Sequence, residues 1–206
     1  MSVSDAYFDA MYAGSSDPWG FRSRWYERRK RSLTLAGLPR ERYARAFEPG
    51  CAIGVLTRGL ADRCDELLAW EGAPEAAARA RADLADLLHV EVAQARVPGR
   101  WPRGAFDLVV LSELLYYFDD RDLDTLLERS LDSLGAGGTL VAVHWRHPVD
   151  DHVRSGDDVH RVIAARAARG GLDRTVHHEE RDFLLQVYEA AGDGRPRSVA
   201  EREGLV

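Results

Sequence analysis

Glu48-Pro49-Gly50-Cys51-Ala52-Ile53-Gly54 places an acid and two glycines where a short apolar run gives way to a helix-like pattern. Gly50 lets the backbone turn tightly and lets a ligand approach the main chain, and Gly54 lets the following helix pack closely. The spacing is G-x-x-x-G, not the G-x-G-x-x-G that aims a helix N-terminus at a pyrophosphate. It suits a flat, phosphate-free nucleoside ligand such as an adenosyl amino acid, with Glu48, Cys51 and Ala52 around its amino acid end. The alternative is an ordinary strand-to-helix turn. Glu71 stands 21 residues after Gly50, at the end of the next apolar run, and is followed by Gly72 and Ala73. An acid there accepts hydrogen bonds from both ribose hydroxyls. The alternative is a surface glutamate.

Three more strand ends carry polar or aromatic residues. Ala95, Arg96 and Val97 follow the third run, where the adenine edge of such a ligand would lie. Arginine cannot accept a hydrogen bond, so either the 95–97 backbone supplies the acceptor or Arg96 stacks on the ring. Ser112 and Glu113 follow a buried run, FDLVVL, and precede Tyr116 and Tyr117. The tyrosines either shape a pocket for an acceptor and a sulfonium, whose charge favours aromatic faces, or pack the turn. His144, Trp145 and His147 close the fifth run. His144 and Glu113 are the candidate proton acceptors; Tyr116, Tyr117, Trp145 and His147 are candidate substrate contacts. His144, His147 and Glu113 could also converge on a metal, but their spacing is not a standard ligand set, and no metal is expected. His177 and His178 lie on opposite faces of a late strand, so at most one points at the site.

Upstream, Arg22, Arg24, Arg28, Arg29, Lys30 and Arg31 form a basic cluster. Either it is a solvated helix face, or one cation meets the carboxylate of the ligand. Asp17-Pro18-Trp19 would then close over it as a lid, and Trp19 and Tyr26 are candidate contacts to it.

These residues need a scaffold with all strand ends on one side. Apolar runs at 43–47, 67–70, 89–95, 106–111 and 139–145 alternate with helical patterns at 53–63, 74–87 and 122–134, the last stopped by four residues of glycine and alanine at 135–138. A helix over 22–36 precedes them, one over 156–169 follows, and 175–180 and 183–188 read as two strands around a tight connection. The alternation predicts an α/β, doubly wound, mostly parallel sheet that binds ligands beyond its carboxyl ends. Residues 1–38 form a lid region, 39–190 the core and 191–206 a polar, irregular tail of one domain spanning 1–206.

Composition sets the limits. At 206 residues and 45% hydrophobic content the chain can bury one core. A net charge of -6 gives no general attraction to nucleic acid. Two cysteines, Cys51 and Cys64, make neither a metal motif nor a disulfide framework. With no signal-like or membrane-spanning run, a cytoplasmic enzyme acting as monomer or homodimer is expected.

FEPGCAIGVLTRGLADRCDELLAWEGAP, FDLVVLSELLYYF and LGAGGTLVAVHWRHP resemble the NodS-type S-adenosylmethionine-dependent methyltransferases. DPWGFRSRWYERRKRSLTLAGLP and HHEERDFLLQVYE are similar to that family's ends, so the likeness runs over about residues 5–190. It implies a Rossmann-like class I methyltransferase fold of seven strands with a C-terminal antiparallel hairpin. It implies S-adenosylmethionine bound at Glu48, Gly50, Gly54, Glu71 and the 95–97 backbone, with S-adenosylhomocysteine as product. It also implies N-methylation of an amino sugar, as on the deacetylated chito-oligosaccharide precursor that NodS methylates. Glu71 stands where aspartate is more usual, with the same hydrogen-bonding role, and Arg96 where an acid is often found. Three rivals follow: an O-methyltransferase, including one acting on an RNA 3′ end with a His/Glu metal; a nicotinamide-dependent oxidoreductase; and a non-catalytic adenosyl-binding module.

Overall fold

A computed structural model describes every residue except Asp193. Seven strands form one sheet in the order β3-β2-β1-β4-β5-β7-β6. They are β1 (Tyr43–Pro49), β2 (Cys64–Glu71), β3 (Val90–Gln94), β4 (Phe106–Ser112), β5 (Leu134–Trp145), β6 (Leu172–Glu179) and β7 (Phe183–Ala190). The first five pair in parallel, while β7 pairs antiparallel with both β5 and β6. This is the expected doubly wound sheet with a C-terminal hairpin.

Helices α3 (Val55–Ala61), α4 (Pro74–Asp83), α5 (Asp120–Asp132) and α6 (Gly156–Arg169) connect the strands. The central strands feed two cores through their period-2 alternation. Val109 and Leu111 of β4 join Leu140 and Ala142 of β5 in one core with α5 and α6. Leu108, Val110, Val141 and Val143 enter the other. All eight side chains are fully buried, which explains why these strands read as continuous apolar runs.

Two expectations need correction, and the lid region gains a helix. Residues 135–138 do not stop α5; they lie inside β5, which starts at Leu134 paired with Phe106. A Cβ at Gly138 would come 2.9 Å from the Gly135 carbonyl, so only glycine lets the strand begin there. The first twenty residues hold a helix, α1 (Asp5–Gly14), ahead of α2 (Trp25–Ala36). The polar tail carries a short helix, α7 (Val199–Arg202), started by a Ser198/Glu201 capping box.

The strand order reverses sides at β1 and β4. That switch point leaves a crevice at the carboxyl ends, where open α/β sheets bind ligands.

Candidate active site

A cavity of about 410 Å³ fills this crevice, within the range of small-molecule sites. Its floor is made by the ends of β1, β2, β4 and β5, and α1 and α2 close over it.

The loop after β1 is built around Glu71. The Glu71 carboxylate accepts from the Ala52 N–H at 2.9 Å through one oxygen and from the Ala73 N–H at 2.8 Å through the other. Each oxygen keeps one acceptor position. Burial raises the Glu71 pKa, and the backbone donors oppose that shift. Gly50 and Ala52 adopt φ of 74° and 51°. A Cβ at Gly50 would meet the Leu114 side chain at 2.9 Å, so the glycine keeps the cradle open. Cys51, Gly72 and Ala73 complete this wall. Gly54 is not on it. It starts α3 with φ 77° and sits against Ala80 and Leu84, the close packing its type suggested.

Glu48 also lines the cavity, and its Oε2 is buried without a hydrogen-bond partner. Burial, reinforced by the Glu71 charge, pushes its pKa up to about 7. A buried carboxylate oxygen without a partner, on a residue of the cavity wall, calls for a donor.

Ala95, Arg96 and Val97 form the far end. The Arg96 guanidinium is committed to Asp5 of α1, with Asp9 at 3.9 Å. Asp5 is itself on the cavity wall, so α1 delivers a carboxylate to the corner where the β3 end supplies none.

At the opposite end Glu113 adopts φ 52°. Its Oε1 accepts from Lys30 Nζ at 2.7 Å, and its Oε2 accepts from Tyr116 Oη at 2.5 Å and the Trp145 N–H at 3.0 Å. Lys30 also meets Glu27 at 3.1 Å and lies 4.9 Å from the Tyr26 ring centre. Burial pulls the Lys30 pKa down, but Glu113 and Glu27 more than offset it, so the ammonium stays charged. Ser112, Tyr117, Trp19, Tyr26 and Trp145 line the same cavity. Arg24, Lys30 and Arg31 are the members of the basic cluster that reach it, whereas Arg22 and Arg29 pair with Asp83 and Glu180 elsewhere.

His144 is the main correction. Its ring is fully buried and absent from the cavity wall. The Leu115 N–H donates to Nε2 at 3.2 Å, so Nδ1 carries the proton and donates to His160 Nε2 at 3.2 Å. His160 Nδ1 then donates to Gln186 at 2.8 Å. With both nitrogens engaged and burial driving its pKa well below the usual imidazole value, His144 positions the Leu115–Tyr117 turn and has no lone pair for a substrate proton. His147 is also off the cavity, bonded to Asp182 at 2.8 Å. His177 and His178 face Glu179 and Glu180 instead. Among the described residues no three His, Cys, Asp or Glu side chains are grouped to hold a metal, so the metal-dependent rival lacks its ligand set.

Sequence reasoning missed Glu27, Asp5, Tyr7, Phe8, Tyr12 and His152, all on the wall. The only available signal was the aromatic content of residues 7–12.

The family model for Nodulation protein S (NodS) matches residues 11–152. The chain belongs to the NodS family. Nodulation protein S of Rhizobium tropici is 32% identical over 129 residues, covering 62% of this chain and 54% of that protein. Against the curated NodS relatives it matches, the chain spans only 54–61% of their length. A putative methyltransferase from Pseudomonas syringae superposes with a TM-score of 0.72 and 48% identity, over 81% of this chain and 99% of that one. NodS from Bradyrhizobium japonicum WM9, solved with S-adenosyl-L-homocysteine, superposes with a TM-score of 0.76 at 24% identity, over 90% and 98% of the two chains. The fold is thus the Rossmann-like class I fold of S-adenosylmethionine-dependent methyltransferases. Among the described residues no helix is long and apolar enough to cross a membrane.

Proposed function

We propose that this NodS-family chain is an S-adenosylmethionine-dependent methyltransferase acting on the nitrogen of a small amine, with an amino sugar as the leading class. The observation that carries the reading is the Glu71 carboxylate, fixed by two backbone N–H groups beside an open glycine loop, with Glu48, whose Oε2 lacks a partner, on the same cavity wall. Glu71 would hold the ribose diol. Glu48 would accept from the ligand's amino group, and Arg24 or Arg31 would meet its carboxylate. The 95–97 edge, with Asp5 beside it, would bound the adenine.

S-adenosylmethionine supplies a methyl carbon activated by positive sulfur, which an incoming lone pair can take. The chain's contribution is alignment, worth up to about 7–11 kcal/mol in favourable cases, and exclusion of water by α1 and α2. Glu113 and Glu27, both on the wall beside Lys30, give this end carboxylates that a cationic amine can meet. Tyr116, Tyr117, Tyr26 and Trp145 supply aromatic faces for a sulfonium or sugar ring.

The test is transfer of labelled methyl from S-adenosylmethionine to D-glucosamine and deacetylated chito-oligosaccharides, with hydroxyl-only sugars as controls. Label on amines alone supports N-methylation; label on the controls favours the O-methyltransferase reading. Cofactor binding with no transfer to any acceptor would favour a non-catalytic module.

A further inference from the structure

His152 lies on the loop between β5 and α6 and is the only histidine on the cavity wall among the described residues. Its ring stacks on Tyr116, with centres 3.8 Å apart and planes 13° from parallel, and meets Tyr117 edge-on at 5.1 Å. The loop is pinned on both sides, since the His152 N–H donates to the Val149 carbonyl and the Val153 N–H to the Tyr116 carbonyl. The imidazole is therefore held in place through its face and its backbone. Its ring nitrogens enter no hydrogen bond with a described residue, unlike those of His144, and so they remain free to meet a ligand.

Resting on the methyltransferase reading, we infer that His152 faces the reacting methyl and takes the proton from the acceptor amine. An amine enters as an ammonium, which has no lone pair. Transfer of one proton from nitrogen to the imidazole leaves a neutral amine and an imidazolium. The freed pair then forms the nitrogen–carbon bond, while the carbon–sulfur pair stays on sulfur. Glu113, whose Oε2 is filled by Tyr116 and the Trp145 N–H and whose Oε1 is paired with Lys30, is left to attract the ammonium. The His152 side chain is half-buried, so the proton has a route to solvent.

The charges around the ring suit this role. Burial lowers the His152 pKa, which keeps the base form, while Glu113 and Asp151 oppose that shift and stabilise the imidazolium. Asp151 is held by Tyr7 of α1 at 3.0 Å. Tyr116 and Tyr117, both pushed up by burial, stay as neutral phenols. His144 behind the turn is neutral, and Glu27 and Lys30 of α2 complete this end.

The experiment is a nuclear magnetic resonance pH titration of the seven histidines, with His152 assigned by H152Q and by H152F, which keeps the stack. The wild type is titrated with saturating S-adenosylhomocysteine and then with S-adenosylmethionine. The sulfonium charge should lower the His152 midpoint by about half a pH unit or more relative to the neutral thioether, leaving the other histidines in place. With D-glucosamine as amine probe, H152Q should transfer methyl about 10²-fold or more slowly. Equal midpoints in the two complexes, or wild-type transfer by H152Q, overturn the assignment alone. Failure of the wild type to bind either compound overturns the methyltransferase reading beneath it.

Discussion

Lys30 Nζ lies 2.7 Å from Glu113 Oε1, so a helix near the N-terminus reaches across the carboxyl edge of β4 and locks the acid that follows it. The two residues are 83 positions apart in the chain, and Lys30 is 4% exposed. The cavity is therefore not a groove on a finished sheet. Its Glu113 end takes this form only when α2 is docked.

Replacing Lys30 by methionine removes the cation and leaves Glu27 and Glu113 without the ammonium between them. Loss of one partner from a buried ion pair costs about 3–5 kcal/mol. Urea unfolding of Lys30→Met should show that loss, and adding Glu27→Gln should recover part of it. A change below about 1 kcal/mol would mean that α2 does not depend on the cluster.

Glu48 should make cofactor affinity pH-dependent. Its pKa stands at about 7 in the free site because of burial. A ligand ammonium needs the ionised form, so below that value binding must expel a proton. The Kd for S-adenosylhomocysteine should rise about tenfold per pH unit from about pH 7 down to about pH 5.5. Glu48→Gln should bind more weakly at pH 8 and lose this slope. A wild-type Kd that is flat across the range would show that Glu48 does not meet the amino group.

His144→Phe should separate structure from chemistry. It removes the acceptor for the Leu115 N–H and the donor to His160, leaving buried polar groups unpaired at about 1–3 kcal/mol. Thermal unfolding should shift down while S-adenosylhomocysteine affinity stays within about twofold. A variant of wild-type stability that no longer transfers methyl would return His144 to the reaction.

The fold was legible where one periodicity dominates. β4 and β5 are buried on both faces and read as unbroken apolar runs. The βα repeat also fixes the distance from Gly50 to Glu71, which made that acid visible. Other features lack a local signal. Residues 7–12 of α1 bury only Tyr12 fully, so the helix shows little apolar stripe. Residues 135–138 look like a helix stop because the same glycines that end helices also permit a crowded strand start. His144 was misplaced although a cue existed. It shares a face of β5 with Leu140 and Ala142, which turns its ring toward α6 and His160. The Lys30–Glu113 bond and the stack of His152 on Tyr116 join segments far apart in sequence, and composition or spacing cannot reveal such meetings.

Titration calorimetry with S-adenosylmethionine and S-adenosylhomocysteine tests the central claim most directly, using the wild type and Glu71→Gln. Both compounds should bind the wild type at one site. Glu71→Gln, which loses a charged acceptor worth about 1.5–3 kcal/mol, should bind roughly 10- to 100-fold more weakly. Binding of neither compound, or equal binding by the variant, would contradict the account.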